Sequence, residues 1–463
     1  RTSIAPCRKC RTASNKMTSK RKGDLIWHLA AVLFTTQNKV LPGSYINFVS
    51  ASKASANLSD RGIATMPLEL DWGTDNAVFE VTPADFQKNS LAIFGYPFTH
   101  DKLKGLREVM DKVRTLYAYK LTSAGAKAAN TYATAKCCGV RGNDLKVVIG
   151  ANVDAPEKFD VSLYLGTTLV DTQTGVAKAA DLVDNDYVIW KDSASLAETA
   201  GTALSGGTNG TVDGTAHQKY LDKIEPYTYN TMGVITTDET TKSLYAAFVK
   251  RMREDVGAKF QCVLYGKAAD YEGVINVKNR VTDEGADEAS LVYWVTGAEA
   301  ACAINKSLLN VKYDGAYTVD TDYKQSELET FIRSGVFAMH NVSGETRVLS
   351  DINSFVSDTE GKSKEIFGDN QCIRVMDQIA NDIAVLFNTR YLGKVPNDAS
   401  GRVSLWNDIV KHHQQLEDLR AIENFSADDV QVEQGDVKNS VAVQDAVTIV
   451  CAMAKLYMTV TVS

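Results

Sequence analysis

The sequence predicts an α+β chain of several domains, in which a β-sandwich module, an α/β domain and an α+β C-terminal domain lie between extended N- and C-terminal strand arms. The length of 463 residues suggests about two to four domains, because domains usually run to roughly 100–200 residues. Hydrophobic residues make up 44% of the chain and charged residues 23%, which is typical of a folded soluble protein. Apolar residues recur at helical spacing in some stretches and at strand spacing in others, so a mixed class is expected.

The charge is unevenly distributed along the chain. Residues 1–24 contain eight Lys or Arg and a single acid, Asp24, whereas the whole chain has a net charge of −7. The remainder is therefore acidic and offers no large cationic face for nucleic acid, whose binding depends on clustered Lys and Arg. We expect residues 1–33 to be an unstructured leader, with a nucleic-acid tail or a transit peptide as the alternatives. The apolar run 25–34 is too short for a membrane span, which needs about 20 residues.

The first part of the chain predicts an arm followed by a mixed region. Residues 34–50 predict an extended arm that turns at Pro42-Gly43 and ends in a β-prone run. A mixed α/β region is predicted at 51–136. Its best helix is predicted at 101–117, where one face carries Leu103, Leu106, Met110, Val113 and Tyr117.

The next stretch, residues 137–215, predicts a β-sandwich domain. Short β-prone runs such as 146–150, 159–165 and 187–190 are separated by Gly, Asn, Asp and Thr, which are turn residues. The glycines of LSGGTNG (204–210) predict a flexible boundary loop rather than a phosphate loop, because the lysine of a Walker loop is missing.

Residues 216–347 predict a layered α/β domain. A strand at 232–235, a helix capped by Thr236 and Glu239, and a strand at 260–265 form a βαβ unit. Further helices are predicted at about 287–305 and 325–334. We therefore expect parallel strands that are covered by helices on both faces.

Residues 348–455 predict an α+β C-terminal domain, and residues 456–463 predict a C-terminal arm. The first helix, 371–387, is expected to turn Arg374, Asp377 and Asp382 outward. A second helix is predicted at about 403–419. Strands are predicted at about 428–433, 440–450 and 456–462.

No residue pattern indicates catalysis, a cofactor or a metal. His412 and His413 lie next to each other on a predicted helix, where one is expected in the core and the other at the surface. The pair Cys7 and Cys10 could supply half of a zinc site, but no second pair with suitable spacing follows. The eight cysteines are too few and scattered for a disulfide framework, so free thiols are expected. No catalytic, cofactor-binding or metal site is therefore assigned.

A series of segments covers the chain from Phe34 onward. In order they are TTQNKVLPGSYINF (35–48), DRGIATMPL (60–68), RGNDLKVVI (141–149), LSGGTNG (204–210), LYGKAADYEGVINV (264–277), INKSLLNVKYDGAYTV (304–319), LSDINSF (349–355), NQCIRVMDQIANDIAVLFNTRYLGKVPND (370–398), AIENFSADDVQVEQGD (421–436) and LYMTVTV (456–462). In this order and coverage they resemble the tail sheath family of contractile phages and phage-tail-like particles of Gram-positive bacteria. Residues 1–33 have no counterpart in that family.

The resemblance implies a structural protein and not an enzyme. It implies a subtilisin-like fold without the protease residues for the α/β domain, and a C-terminal domain that faces a tail tube. Family behaviour implies hexameric rings stacked helically around the tube, whose contraction drives the tube through a target cell envelope. The implied partners are further copies of the chain, the tail tube protein, and baseplate and tail terminator proteins. The implied location is a virion tail or tail-like particle, assembled in the cytoplasm of the bacterial host.

The two arms are the predicted sites of subunit contact. Unpaired strands are templates for pairing with another chain, so each arm is expected to add to a neighbour's sheet. The residues expected to pair are Tyr45, Ile46, Asn47, Phe48, Val49, Leu456, Tyr457, Met458, Thr459 and Val460. Lys411 and His412, on the second helix of the C-terminal domain, are expected to face the tube.

Two other classes of protein remain as alternatives. An α/β hydrolase, with the β-module binding substrate, would need a concave pocket with convergent polar groups. An adhesive or surface-layer protein would be expected to carry secretion signals or calcium-ligand repeats, and neither is apparent in the sequence.

Overall fold

The computed structural model describes residues 58–462. The predicted leader at 1–33, the predicted arm at 34–50 and its run Tyr45–Val49 lie outside the described residues.

Strands and helices alternate along most of the described chain. The strands are β1 (Ile63–Leu68), β2 (Val78–Val81), β3 (Thr115–Lys120), β4 (Ala133–Ala135), β5 (Leu145–Ala151), β6 (Phe159–Leu165), β7 (Thr168–Val176), β8 (Val188–Trp190), β9 (Thr199–Ala203), β10 (Thr231–Val234), β11 (Gln261–Tyr265), β12 (Val274–Val277), β13 (Met339–Val342), β14 (Glu345–Val348), β15 (Ile422–Glu423), β16 (Val430–Gln434), β17 (Val441–Asp445) and β18 (Thr448–Ile449). The α-helices are α1 (Pro83–Phe94), α2 (Lys104–Met110), α3 (Gly214–Ile224), α4 (Glu239–Arg251), α5 (Leu291–Ala301), α6 (Gln325–Arg333), α7 (Lys364–Phe367), α8 (Asn370–Leu386) and α9 (Ala399–Asp418). Two π-helical turns, Met252–Val256 and Phe387–Tyr391, extend α4 and α8.

One six-stranded sheet forms the centre of the α/β domain, in the order β12-β11-β10-β1-β3-β2. β1 pairs in parallel with both β10 and β3, so that Ala64 lies beside Thr231 on one side and Leu116 on the other. The regions 51–136 and 216–347, predicted as separate, therefore share one sheet. The sequence pattern could not indicate this, because the backbone hydrogen bonds that join strands are the same for every residue type except proline.

Helices cover both faces of this sheet, as buried parallel strands require. Neighbouring residues of β11 show the two layers, since Cys262 packs with Tyr245 of α4 and Val263 packs with Trp294 of α5. The predicted βαβ unit is confirmed, because β10 and β11 are parallel and α4 connects them. Its predicted cap is wrong: the Asp238 side chain accepts from the Thr241 N–H and begins the helix.

A β-sandwich module is inserted between β3 and β10. Its larger sheet has the order β7-β6-β5-β9, and its smaller sheet pairs β4 with β8. The two sheets share one core, in which Val147 and Leu163 of the larger sheet join Ala133 and Trp190 of the smaller one. The loop 204–210, predicted as flexible, is packed tightly, since a Cβ on Gly207 would lie 2.6 Å from the Gly139 carbonyl oxygen.

The predicted helix at 101–117 is shorter than expected. A 3-10 turn at Asp101–Leu103 leads into α2, which ends at Met110, and Tyr117 lies on β3. Leu103, Leu106 and Met110 are buried, so the apolar spacing was correct for the helical part, and Val113, beyond the end of α2, is buried as well. The helix ends early because Thr115 to Lys120 gain a parallel strand partner in β1, which outweighs local helical preference.

The C-terminal domain packs two long helices against small antiparallel sheets. The predicted helices at 371–387 and 403–419 are observed as α8 and α9. The hairpin β16–β17 packs on α9, with Val430 and Val432 against Leu405 and Ile409. No strand is present at the predicted position 456–462, where the chain is exposed and has no regular secondary structure.

Candidate functional site

A buried charged cluster joins the α/β domain to the C-terminal domain. Arg374 of α8 donates from Nη1 to Glu299 Oε2 of α5 at 2.5 Å and from Nη2 to Asp351 Oδ2 at 2.7 Å. All three side chains are 1% exposed. The Asn370 amide donates to both carboxylates, at 3.1 and 3.0 Å. The prediction that Arg374 points outward is wrong, because its charge is satisfied inside the protein by groups from distant parts of the chain.

The two carboxylates of this cluster differ in proton affinity. Both are desolvated, which disfavours their charged forms. The pKa of Asp351 is nevertheless lowered to about 2, because the Arg374 guanidinium and its hydrogen bonds outweigh the desolvation. Burial, followed by the charge of Asp351, raises the pKa of Glu299 well above its usual value. The guanidinium therefore favours the ionised form of Asp351, whereas Glu299 holds its proton more strongly than an exposed glutamate does.

A second buried ion pair bridges the same two domains. Arg253, in the π-helical turn after α4, donates to both oxygens of Asp377 on α8, at 2.7 and 2.8 Å. Arg253 also donates to the Phe260 carbonyl at 2.7 Å. The prediction that Asp377 faces outward is wrong for the same reason as for Arg374: a buried partner from the other domain covers it.

The predicted tube-facing residues have different environments. The prediction that His412 is exposed is wrong, because its side chain is 2% exposed and its Nε2 lies 3.1 Å from Asp382 Oδ2. His413 is also buried, with its Nε2 2.8 Å from Asp445 Oδ2. The two rings pair with acids on α8 and β17, so α9 has a broader buried face than its spacing indicated, and Asp382 is not outward-facing either. Lys411, in contrast, is exposed.

The C-terminal segment leaves the body at a defined point, which we call its root and define as Val450, Cys451 and Ala452. The Val450 N–H donates to the Ala421 carbonyl, and the Gln371 side chain accepts from the Ala452 N–H at 3.0 Å. Beyond Ala452, no hydrogen bond joins residues 453–462 to the rest of the described chain. Leu456 and Tyr457 are 85% and 87% exposed. The predicted pairing residues of this segment are therefore exposed to solvent and make no strand pair within the described part of their own molecule. They are Leu456, Tyr457, Met458, Thr459 and Val460.

Sequence reasoning missed the charged cluster and the root. A charged residue on a helix normally faces water, so nothing in the spacing of α8 could reveal that three of its charges are buried. For the root, the one signal was Cys451, which lies five positions before Leu456, the first residue of the predicted arm.

The described residues do not favour the hydrolase alternative. One surface depression of about 240 Å³ is lined by Asn76, Tyr119, Leu121, Ser123, Ala124, Thr211, Asp213, Thr215, Ala216 and Lys219. Another, of about 340 Å³, is lined by Ala399, Arg402, Val403, Trp406 and Val432. Neither lining contains a histidine or a cysteine, so a hydroxyl nucleophile there would have no imidazole base. None of the helices within residues 58–462 is long and apolar enough to cross a membrane.

Family comparisons cover almost the whole described chain. Residues 61–121 match the tail sheath protein Gp18 domain III N-terminal region, and residues 123–209 match the phage tail sheath protein beta-sandwich domain. Residues 210–354 match the phage tail sheath protein central domain, and residues 362–463 match the phage tail sheath C-terminal domain.

Individual relatives match over nearly their full length. The phage-like element PBSX protein XkdK of Bacillus subtilis is 28% identical, over 93% of this chain and 99% of the relative. The uncharacterized protein YqbK of the same organism is 30% identical, over 92% of this chain and 98% of the relative.

Solved structures give the same result. The crystal structure of the sheath tail protein from Desulfitobacterium hafniense has a TM-score of 0.77 and 34% identity, over 90% of this chain and 99% of that chain. The sheath tail protein of Listeria innocua has a TM-score of 0.74 and 29% identity, over 86% of this chain and 94% of that chain. The contracted helical sheath of the anti-feeding prophage shares the fold at a TM-score of 0.52 and 11% identity, over 91% of this chain and 99% of that chain.

Proposed function

The chain belongs to the phage tail sheath family and is a structural, non-enzymatic subunit of a contractile sheath, and from this premise we propose that it polymerises by exchanging terminal strands between neighbouring copies. The sheath belongs to a virion tail or tail-like particle. The single observation that carries the proposal is the exposed, unpaired C-terminal segment at 453–462.

The sequence of this segment is typical of a β-strand, although the segment is unpaired in the described part of its own chain. Alternate residues of a strand point to opposite faces. In a strand, Leu456, Met458, Val460 and Val462 would form one apolar face, and Tyr457, Thr459 and Thr461 would form the other. β-Branched and aromatic residues, which favour strands, make up most of this run. The segment is thus suited to pairing but has no partner in the described part of its own chain.

The C-terminal domain also offers an acceptor. The hairpin β16–β17 is a sheet of only two strands, so each strand has one edge without a strand partner in the described residues. Two-stranded sheets are marginal alone, and additional strands stabilise them. One face of the hairpin is already anchored on α9 through Val430 and Val432. A neighbour's arm added to this edge would gain backbone hydrogen bonds and a fixed register.

Donor and acceptor in this scheme are different surfaces of one subunit. Such contacts are heterologous, and they close into a ring or continue as a helix. We propose hexameric rings stacked helically around a tail tube, with the arm at 34–50 making a second strand exchange through Tyr45–Val49. Contraction would then drive the tube through a cell envelope. It would need no nucleotide, because the extended lattice is a trapped state and the contracted lattice buries more surface between bodies.

The body of the subunit is built to move as a unit. The buried pairs of Arg374 with Asp351 and of Arg253 with Asp377 join the α/β domain to the C-terminal domain. Removing one partner of such a pair leaves an uncompensated buried charge, so sliding between these domains is costly. Rotation of whole bodies that stay joined through their terminal arms is therefore the favoured rearrangement.

Further details of the proposal follow from the family resemblance. A subtilisin-like α/β domain is supported by a mostly parallel sheet with helices on both faces. Lys411, exposed on α9, is the proposed contact with the tube, while His412 is buried. Baseplate and tail terminator proteins would bind the ends of the sheath, and assembly would take place in the host cytoplasm.

The test is truncation of either arm. A chain lacking residues 456–463, or one lacking residues 34–50, should fold with the same circular dichroism as the full chain and have the hydrodynamic radius of a folded monomer, but form no tubes in negative stain. As a control, the full chain should form tubes or rings under the same conditions. Normal sheaths from either truncated chain would contradict the proposal.

A further inference from the structure

Two cysteine thiols meet at the root of the C-terminal segment. Cys372, the third residue of α8, has its Sγ 3.0 Å from the Sγ of Cys451. The two residues are 79 positions apart in the chain. Thiols at this separation are in contact, and a small movement of Cys451 would bring them to bonding distance.

The surrounding structure holds Cys451 in this position. The Gln371 side-chain amide donates to the Val450 carbonyl at 3.0 Å and accepts from the Ala452 N–H at 3.0 Å. One amide thus holds the backbone on both sides of Cys451, in the manner of a neighbouring strand. The other thiol, Cys372, is held by the N-cap of α8, since its backbone N–H donates to Asp369 Oδ1 at 3.0 Å.

The two thiols have different roles in any reaction with a solvent reagent. Cys451 is exposed, whereas Cys372 is buried. The hydrogen bond with the Cys372 thiol lowers the pKa of Cys451, and the same contact, with burial, raises the pKa of Cys372. Since the thiolate is the nucleophile, Cys451 is the thiol that meets an external disulfide first.

We propose that Cys372 and Cys451 form a reversible disulfide, made by exchange with a low-molecular-weight disulfide, that ties the root covalently to helix α8. The Cys451 thiolate attacks one sulfur of the reagent, which forms a mixed disulfide and releases one small thiol. The Cys372 sulfur then attacks the Cys451 sulfur and displaces the second small thiol. Two protein thiols are oxidised, one small disulfide is reduced to two thiols, and the two protons go to the released thiols.

A metal site is the competing use of the same residues. A carboxylate oxygen of Asp369 and the two sulfurs lie within 4.8 Å of one another. Two thiolates bound to one zinc ion at about 2.3 Å each, in tetrahedral geometry, would be separated by about 3.8 Å. The observed 3.0 Å is shorter, and the Asp369 carboxylate already caps α8. Disulfide formation therefore fits the geometry better.

The disulfide would anchor the start of the C-terminal segment and leave the rest of the segment available for pairing. The bond would fix residue 451, whereas residues 453–462 would stay exposed. A pulling force on the segment would then pass directly into α8. The thiol chemistry does not depend on polymerisation, so it can be tested on the unassembled chain.

The experiment exposes the full chain to oxidised glutathione and maps disulfide-linked peptides by mass spectrometry. We expect one link, between the peptides containing Cys372 and Cys451, and the mapping separates it from any link that involves Cys7 or Cys10. In the native chain this link should need at least about tenfold more reduced glutathione to break than in the chain unfolded in guanidinium. Cys372→Ser should stop at a stable mixed disulfide on Cys451, and Cys451→Ala should form neither.

Cys137→Ser is the matched control, because Cys137 is a partly buried thiol remote from the root, and it should leave the link unchanged. Cys451→Ala replaces an exposed side chain, so its folding is not at issue even if Cys372→Ser unfolds. Links scattered over other cysteines, or no link, would overturn the proposal. Stoichiometric retention of zinc by the native chain, lost in Cys451→Ala and accompanied by protection of both thiols, would also overturn it.

Discussion

Arg374 and Asp351 form an ion pair that is completely buried, with Arg374 Nη2 2.7 Å from Asp351 Oδ2. Arg374 lies on α8 of the C-terminal domain. Asp351 follows β14 and lies beyond residue 347, the predicted end of the α/β domain, but within residues 210–354 that match the central domain. The same guanidinium also bonds Glu299 of α5. One side chain thus connects three parts of the chain, and its removal should lower the stability of the whole subunit.

Arg374→Met should lower the free energy of unfolding by about 3–5 kcal/mol, because it leaves the ionised Asp351 carboxylate buried without its cation. The measurement is chemical denaturation at pH 7, followed by circular dichroism. Arg333→Met is the control, since Arg333 forms an exposed pair with Glu329 on α6, and it should change stability by less than about 1 kcal/mol. Equal effects of the two substitutions would show that burial does not determine the value of the pair.

Glu299→Gln should become increasingly stabilising, relative to the unchanged chain, as the pH rises above 4.5. The pKa of Glu299 is raised in the folded state, mainly by burial. The folded state therefore holds a proton that the unfolded state releases, so stability is full below the unfolded pKa and falls as the pH rises through the folded one. Glutamine mimics the protonated acid and has no proton to lose.

The Glu299→Gln measurement is the difference in denaturation midpoint between the two chains from pH 5 to pH 8. Glu329→Gln, at an exposed carboxylate on α6, is the control and should change the midpoint far less than Glu299→Gln. A constant difference for Glu299→Gln over the same range would mean that Glu299 is charged in the folded protein.

Val460→Asp should raise the concentration needed for polymerisation by at least about tenfold, because a carboxylate on the apolar face of the added strand must be buried against the acceptor. Thr461→Asp places the same charge on the opposite face and should have a much smaller effect. Sedimentation over a concentration series measures both. Equal effects would indicate that residues 456–462 do not pair as a strand with one buried face.

Lys411→Glu should weaken co-sedimentation of the sheath with its tube by about fivefold, which corresponds to about 1 kcal/mol for an exposed charge pair. The effect should shrink in high salt, since exposed charges are screened. Lys223→Glu, an exposed substitution on α3 of the α/β domain, is the control and should leave tube binding unchanged. Unaltered binding by Lys411→Glu would remove α9 from the proposed tube interface.

Local pattern predicted some elements well. The βαβ unit of β10, α4 and β11 was recognisable because its strands are short apolar runs and its helix has a regular apolar stripe. The helices α8 and α9 were recognisable for the same reason. The pattern was ambiguous at 101–117, because the helical spacing of apolar residues continues to Tyr117, which lies on β3 in the structure.

The charges of α8 show why the candidate site could not be predicted to the same degree. Spacing identifies the apolar side of a helix, but it does not tell whether water or another domain covers the polar side. Arg374, Asp377 and Asp382 are each covered by residues far away in sequence. The same applies to Cys372 and Cys451, which meet across 79 positions.

The sequence by itself determined the mixed fold class, the β-module, the two helices of the C-terminal domain and the family, because these depend on local periodicity and on the order of segments along the chain. Only the tertiary structure decided that β1 and β3 share a sheet with β10, β11 and β12, and that the polar side of α8 is buried. The physical reason is that strand pairing uses backbone groups common to nearly all residues, and a buried charge is stable only beside partners that folding brings together.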